Sequence, residues 1–477
     1  MKRRSFRRGA VAIAILMLLQ ACSSPPPATP MLAAAVPEAW QGQRDAAAGA
    51  SLEAGWWRAF GDPVLDRLVD QALAHNTDLR LAAARVAEAR ALGDVQRAAG
   101  LPTLDFGYGG NRSQSISAAT GKPYLSTVSQ PQFQAAYEVD LWGRIDALDR
   151  SAGAQLQASE AARDSAALSV AAATASGYVG LRALDARLQV AQQTLEARDA
   201  ALKLARSRQE RGYASALETQ QSEAEYRATA AVLPQLQLAI HRQEHAISLL
   251  TGSAPGTVPR GLALNDLRLA PLPALGLPSE LLRRRPDIAN AEAQLAASDA
   301  QWAAARAQLL PSLRLSATLG SITSSALRGD PFKLWSLGGS VLAPLFEGGR
   351  LRAQVQASDA RREQALAGYE KAVLTAFGEV EDQLAGVEEL GRQGIEVEAQ
   401  RAALQEGLRV ASNRYKEGYA SYLDELDAQR NLFGAQQTAL QLRADQLSAR
   451  INLDRALGGG WQPASGNTAE AKLSPPP

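Results

Sequence analysis

From Asp62 onward the apolar positions of this chain fall at helical spacing. A proline at the first helical position, Pro63, is followed by Leu65, Leu68, Val69, Ala72 and Leu73, and the pattern runs to about Ala99 before Gly100-Leu101-Pro102 stops it. The period then changes to two. Leu104, Phe106 and Tyr108 alternate with Asp105, Gly107 and Gly109, and after a polar stretch Phe133, Ala135, Tyr137, Val139 and Leu141 alternate with Gln134, Ala136, Glu138 and Asp140. The spacing predicts two strands, at about 102–110 and 131–142, separated by a long polar loop. Such lengths suit transmembrane strands, which need about 9–11 residues. Residues 143–211 contain no proline and read as one helix, on the order of 100 Å long at about 1.5 Å per residue. Leu181, Leu184, Leu188, Ala191, Leu195, Arg198, Leu202 and Ala205 form a heptad seam with one arginine in it. That seam calls for supercoiled packing against neighbouring helices. A glycine turnaround, Gly212-Tyr213-Ala214-Ser215, leads into a return helix over 215–251, which Thr251-Gly252 ends.

After a Pro/Gly/Leu linker at 253–278 the series is met again. Pro286-Asp287 opens a helix, Leu310-Pro311 matches Leu101-Pro102, and strands are expected at about 311–321 and 335–346. Gly349-Arg350 matches Gly143-Arg144, and a second long helix, 349–416, carries Val387, Leu390, Gly394, Val397, Arg401, Leu404, Leu408 and Ala411. The turnaround Gly418-Tyr419-Ala420-Ser421 stands 206 residues after its counterpart and starts a return helix over 421–457. In both copies an acid follows the serine by three residues, Glu218 and Asp424, as in a capping box. The expected architecture is therefore one unit built twice, repeat 1 over 55–252 and repeat 2 over 279–460, each with a helix, two strands, a long helix and a return helix. Trp335, Phe332 and Phe346 bracket the fourth strand as candidates for an aromatic girdle.

Four membrane-length strands cannot close a barrel alone, because an open edge in lipid leaves backbone groups unpaired. The smallest membrane barrels have about 8 strands. The chain must therefore oligomerise if its strands span a membrane, and three copies supply twelve strands and twelve helical columns.

The N-terminus changes the picture next. Residues 1–21 read as an export signal, with Lys2, Arg3, Arg4, Arg7 and Arg8 ahead of a short apolar run. Formal charge is +1, and removing those five basic residues leaves −4, so nucleic acid is not an expected partner. The chain has one cysteine, so no internal disulfide is possible. Leu19-Gln20-Ala21-Cys22 resembles the lipobox of bacterial lipoproteins. The resemblance makes Cys22 the acylated N-terminus, carrying diacylglycerol and a fatty acyl group (palmitate). The next residue, Ser23, is not an inner-membrane retention Asp and implies the outer membrane. Residues 22–54, rich in Pro, Ala and Gly, read as an extended lipid-anchored tether, and 461–477 as a disordered tail.

Four stretches carry a family resemblance: Arg285 to Glu292 (Arg-Pro-Asp-Ile-Ala-Asn-Ala-Glu), Tyr137 to Arg144 (Tyr-Glu-Val-Asp-Leu-Trp-Gly-Arg), Pro344 to Arg350, and Gly418 to Gln429 followed by Asn431-Leu432-Phe433. Over residues 55–460 the chain resembles the TolC-like outer-membrane efflux factors, in the lipoprotein branch that serves RND-type multidrug pumps. The resemblance implies a homotrimer, a 12-stranded β-barrel joined to a 12-helix tunnel in the periplasm, a periplasmic adaptor and an inner-membrane pump as partners, and no enzymatic activity. It also implies a closed tip whose aperture acids match Asp424 and Asp427, with Tyr415 in its hydrogen-bond network. The basic partner of some members falls at Ala420, so a different latch is expected. Asp427 has Gln221 as its first-copy counterpart, which favours a gate role for it, whereas Asp424 also serves as a cap. The turnarounds at Gly212, Tyr213, Gly418 and Tyr419 are the expected adaptor-docking points.

Three other readings compete with this one. His241-Arg242-Gln243-Glu244-His245 fits the H-x-x-E-H pattern of a zinc peptidase class, but lies on a tube-wall helix whose counterpart, Leu447 to Ile451, has no such groups. A protein-secretion duct and a helical periplasmic scaffold are the remaining alternatives, and the four alternating strands speak against the scaffold. The three methionines, Met1, Met17 and Met31, leave no thioether relay for a soft metal in the tube, and no cofactor is expected.

Overall fold

The structure is a computed structural model that describes residues 37–41, 54–269, 272, 273, 275–325 and 331–462. Cys22, the signal segment, most of the tether and nearly all of the tail lie outside the described residues.

The chain runs α1 (Pro63–His75), α2 (Thr77–Ala98), β1 (Thr103–Ile116), β2 (Pro123–Val139), α3 (Arg144–Glu210), α4 (Ala216–Leu250), α5 (Pro278–Arg284), α6 (Pro286–Ala307), β3 (Ser312–Ser324), β4 (Phe332–Leu342), α7 (Arg350–Lys416) and α8 (Tyr422–Ala456). The first helical stretch, expected as one element, is broken at Asn76. The Asn76 side chain leaves the helical path to cap α2, accepting from the amides of Asp78 at 2.8 Å and Leu79 at 3.2 Å. Its Nδ2 donates to the carbonyl of Leu250 at 2.9 Å, so the break also satisfies the end of α4. Arg285 does the same between α5 and α6, donating Nη1 to the carbonyl of Ala456 at the end of α8 at 3.0 Å.

The four strands form one antiparallel sheet in the order β1-β2-β3-β4. β1 and β2 run well beyond the expected 102–110 and 131–142. The polar stretch read as a long loop is paired through Asn111↔Val128, Arg112↔Thr127 and Ser113↔Ser126, and only a short turn at 117–122 joins the strands. A backbone ladder forms whatever the side chains. The period-two test is silent where both faces are polar.

The register sorts the side chains into two faces. Phe106, Phe133, Leu319 and Trp335 form one row across all four strands, and Leu104, Ala135, Ala317 and Leu337 the next. Tyr137, Leu315 and Gly339, then Val139, Leu313 and Val341, complete the band. The opposite face carries Asp105, Gln134, Thr318 and Ser336, and Glu138, Arg314 and Ser340. From Pro131 to Val139 the apolar band runs on the order of 26 Å along β2 at about 3.3 Å per residue. Trp335 belongs to that band, whereas Phe332, three residues earlier, points to the other face, and Phe346 lies beyond β4. The expected girdle of three aromatics is therefore not one belt.

The strand-to-helix junction accounts for the Tyr137–Arg144 motif. Glu138 accepts from Arg144 at 2.7 Å and from Arg314 at 3.3 Å, tying β2 to the start of α3 and to β3. Trp142 donates Nε1 to the Pro311 carbonyl at 2.7 Å, and Asp140 accepts from the Asp146 amide at 2.9 Å. Gly143 takes φ +71°, a conformation that favours glycine.

The helices pack beside one another along their length, α3 against α2, α4, α6 and α8, and α7 against α6 and α8. The core sits at the middle of α3, where Tyr178, Val179 and Leu181 meet Phe60, Leu65, Val69, Ile247, Leu447 and Ile451. Asp62 is fully buried there and accepts from Tyr178 Oη at 2.7 Å and from the amides of Val64 at 2.8 Å and Leu262 at 2.9 Å. The segment expected as a linker is part of this core, since Val258, Leu264 and Leu267 are buried in it. Trp40 is buried too. Its ring meets Phe377 of α7 edge-on, and its Nε1 donates to the Gly276 carbonyl at 3.0 Å.

Candidate functional site

Both turnarounds are built the same way at the backbone. Gly212 and Gly418 take φ +76° and +81°, and the amides of Tyr213 and Tyr419 reach back 2.8 Å to the carbonyls of Arg208 and Arg414. Ser215 and Ser421 then accept from the amides of Glu218 and Asp424 and start α4 and α8. The two copies differ in the acid. Asp424 closes a full capping box, taking the Ser421 amide at 3.0 Å and its hydroxyl at 2.9 Å. Glu218 does not reach back. Its carboxylate accepts the hydroxyl proton of Tyr415, 197 residues away at the end of α7.

Tyr415 therefore joins the two hairpins. Burial and the bond to the Glu218 carboxylate push its phenol up to about 12. Arg208 of α3 sits over its ring at 5.1 Å, and Tyr422 of α8 packs beside it at 5.5 Å. Tyr422 is buried, and Ser222 of α4 donates to its hydroxyl at 2.5 Å. The end of α7 and the start of α8 are thus held to α4 by two tyrosine hydroxyls.

Asp427 lies one turn beyond Asp424 and is exposed, as is Asp424. Its carboxylate accepts from Asn431 Nδ2 at 3.1 Å. Spacing of three residues puts both acids on one face of α8. Tyr213 and Tyr419 are 83% and 76% exposed at the two tips, beside the exposed Leu217 and Leu423. The structure brings Tyr415 and Glu218 together and keeps Asp424 and Asp427 apart from them on the open face.

Sequence reasoning missed Glu225 and Arg430. The signal was Arg198, a cation at an apolar seam position, which must find a carboxylate when buried. Folding the hairpin at Gly212 sets Glu225 opposite it, and the two meet at 2.8 Å.

Of the H-x-x-E-H residues, His241 Nδ1 lies 3.5 Å from Glu244 Oε2, and the carboxylate is otherwise taken up by the core. Glu244 is buried and engaged by Arg260 and by the Val258 amide, while His241 and His245 are exposed. No cluster of metal ligands is present among the described residues.

The family described as "Outer membrane efflux protein" matches residues 68–253 and 277–459. The chain is 37% identical over 460 residues to the pyoverdine export outer membrane protein OpmQ of Pseudomonas aeruginosa, covering 94% of this chain and 96% of that one. It is 36% identical over 459 residues to the toluene efflux pump outer membrane protein TtgI of Pseudomonas putida, covering 94% and 97%. Among solved structures, the open-state MtrE outer membrane channel of Neisseria gonorrhoeae superposes with a TM-score of 0.80 at 30% identity, covering 91% of this chain and 98% of that one. Long helices beside an amphipathic sheet, with tyrosine-linked turnarounds at the far end, are thus the frame of a channel wall, and the chain belongs to the outer membrane efflux protein family.

Proposed function

We propose that three copies of this chain form the outer-membrane duct of a tripartite efflux pump. The observation that carries this reading is the sheet, which has an apolar face, a polar face and two unpaired edges, β1 and β4. Unpaired backbone in lipid costs several kcal/mol per group, and pairing β4 of one copy with β1 of the next removes both edges. The chain then contributes two structural repeats, four strands to a 12-stranded barrel and four columns to a 12-helix tunnel. A lipid on Cys22 anchors it in the same membrane. A periplasmic adaptor docks at Gly212, Tyr213, Gly418 and Tyr419, where exposed aromatic and leucine side chains offer an apolar tip, and an RND-type inner-membrane pump supplies energy. The duct itself is passive. Its cargo is of the small-molecule class named for its relatives, pyoverdine for OpmQ and toluene for TtgI. Purified full-length protein that runs as a heat-modifiable trimer and forms channels in planar bilayers supports this; a soluble monomer after delipidation refutes it.

The band gives a direct test. Leu337 lies in its middle row, so Leu337→Arg is expected to cost about 2–4 kcal/mol per copy and deplete the heat-modifiable form. Ser336→Arg, on the opposite face, is expected to leave it intact. Equal loss in both variants contradicts the assignment of faces.

The gate acids give another. A ring of Asp427 from three copies repels itself and concentrates cations in a narrow lumen. Asp427→Ala is expected to raise single-channel conductance severalfold. Asp424→Ala adds to it, at a cost of about 1 kcal/mol for the lost helix start. Unchanged conductance in the double variant removes both acids from the gate.

A further inference from the structure

Beside the tip lies an ion cluster that the tyrosine contacts do not involve. Arg198 of α3 is 6% exposed. Its Nη1 donates to the Glu225 carbonyl at 3.0 Å and to Thr229 Oγ1, and forms an ion pair with Glu225 Oε2 at 2.8 Å. The ring of Phe433 on α8 faces the guanidinium centre at 5.7 Å. The second oxygen of Glu225 is taken from the other side. Arg430 of α8 donates to Oε1 through Nε at 2.7 Å and through Nη2. One carboxylate on α4 thus binds α3 with one oxygen and α8 with the other.

The two halves of this bridge are unequal. Arg198 and Glu225 are both buried, so parting them strands a charge away from water. Arg430 has half its side chain in solvent, so it can leave Glu225 and be rehydrated at once. Glu225 remains neutralised by Arg198 when that happens. The bridge therefore has a permanent side and a releasable side, and the releasable side belongs to the helix that carries Asp427, one turn before Arg430. The second hairpin has no such cluster. Residues 206 positions on from Arg198 and Glu225 are Leu404 and Asn431, and Asn431 holds Asp427 instead.

We infer that Arg430 is a releasable latch, holding α8 and its gate acids against the fixed α3–α4 hairpin through Glu225, and that it supplies the cationic tie for which Ala420 offers no side chain. Arg430 acts as a positioning residue, through α8, and the inference rests on the gate reading of Asp427.

The test uses full-length protein in planar bilayers, with Arg430→Lys, Arg430→Gln, Arg430→Glu and Asp427→Ala beside the wild type. The latch predicts a graded rise in single-channel conductance, small for Lys, severalfold for Gln and largest for Glu, which repels Glu225. Heat-modifiable trimer and melting temperature should stay at wild-type values in the Lys and Gln variants, which a purely structural role would not combine with raised conductance. If Asp427→Ala raises conductance and Arg430→Gln does not, the latch is overturned and the gate stands. If neither does, the gate reading fails and takes the latch with it. Loss of the trimer in Arg430→Gln would assign the residue to assembly and equally overturn the latch.

Discussion

Gly458→Ala is expected to abolish the assembled, heat-modifiable form of the protein. Gly458 follows the end of α8 with φ +93°, and a Cβ there would sit 1.9 Å from the carbonyl oxygen of Arg284. The backbone conformation alone costs a side chain about 1–2 kcal/mol. The clash adds more, because the atom struck is backbone and the chain between α5 and α6 must move away from α8. Arg285, in that junction, caps α8, so relief of the clash breaks the cap. The total is expected to exceed about 4 kcal/mol, in the range reserved for severe lesions. Gly252 repeats the arrangement after α4, with φ +69° and a Cβ that would meet the His75 carbonyl at 2.3 Å. Gly434→Ala is the control. Inside α8 an added Cβ there meets nothing within 4 Å, and the change is expected to stabilise by up to about 1 kcal/mol. Thermal melting of the purified protein and gel mobility before and after heating report both; a Gly458→Ala protein that melts with the wild type would contradict the close approach.

Arg285→Ala is the second expected result, a loss of about 2–3 kcal/mol, since the guanidinium is buried but the carboxylates it leaves are about a third exposed. Arg285 is 5% exposed. It grips Asp287 with two bonds, at 2.9 and 2.6 Å, and reaches Glu379 of α7 at 2.9 Å and the Ala456 carbonyl at 3.0 Å. Truncation leaves two carboxylates and a helix-end carbonyl without it. Burial alone would push the Asp287 carboxyl up, and the bonds and charge of Arg285 outweigh it and hold the group below its ordinary value. A carboxyl lowered in the folded state stabilises the fold above its unfolded pKa and ceases to as the pH falls through the folded one. The penalty of Arg285→Ala should therefore be full at neutral pH and shrink below about pH 4. Arg285→Lys keeps the charge but not the two-pronged geometry and should fall between. Chemical denaturation of the full-length protein at neutral and acidic pH measures this; a penalty that grows toward acid would contradict the role given to Asp287.

The helices were legible because their signals are dense and local. The seam from Leu181 to Ala205 needs only spacing, and an absent proline keeps α3 unbroken. What escaped has identifiable physical causes. The break at Asn76 uses a residue that helices tolerate, and its purpose, the Leu250 carbonyl, lies 174 residues away. The outer parts of β1 and β2 are polar on both faces, so alternation carries no information there. Glu218 matches Asp424 in position and reads as a cap, but its carboxylate's partner is Tyr415, a contact that no local pattern encodes. Arg198 was visible as the wrong residue in an apolar seam, and its carboxylate stands only 27 residues along the same hairpin. The gate role proposed for Asp424 and Asp427 rests on resemblance and on Gln221 standing where a first-copy Asp427 would, and both side chains are exposed.

The junction in which Glu138, Arg144, Arg314 and Trp142 join strand directly to helix has a consequence for calibre. Each strand passes within a few residues into one helical column, so strands and columns are equal in number around the wall. In the trimer proposed above, twelve strands about 4.8 Å apart, tilted by about 40°, would give a ring roughly 24 Å across between backbones. Its twelve helices, about 9 Å apart, would give a ring of roughly 34 Å between axes. In that trimer the same wall would flare as it leaves the membrane, and the fixed bore would lie in the barrel rather than in the body of the tunnel.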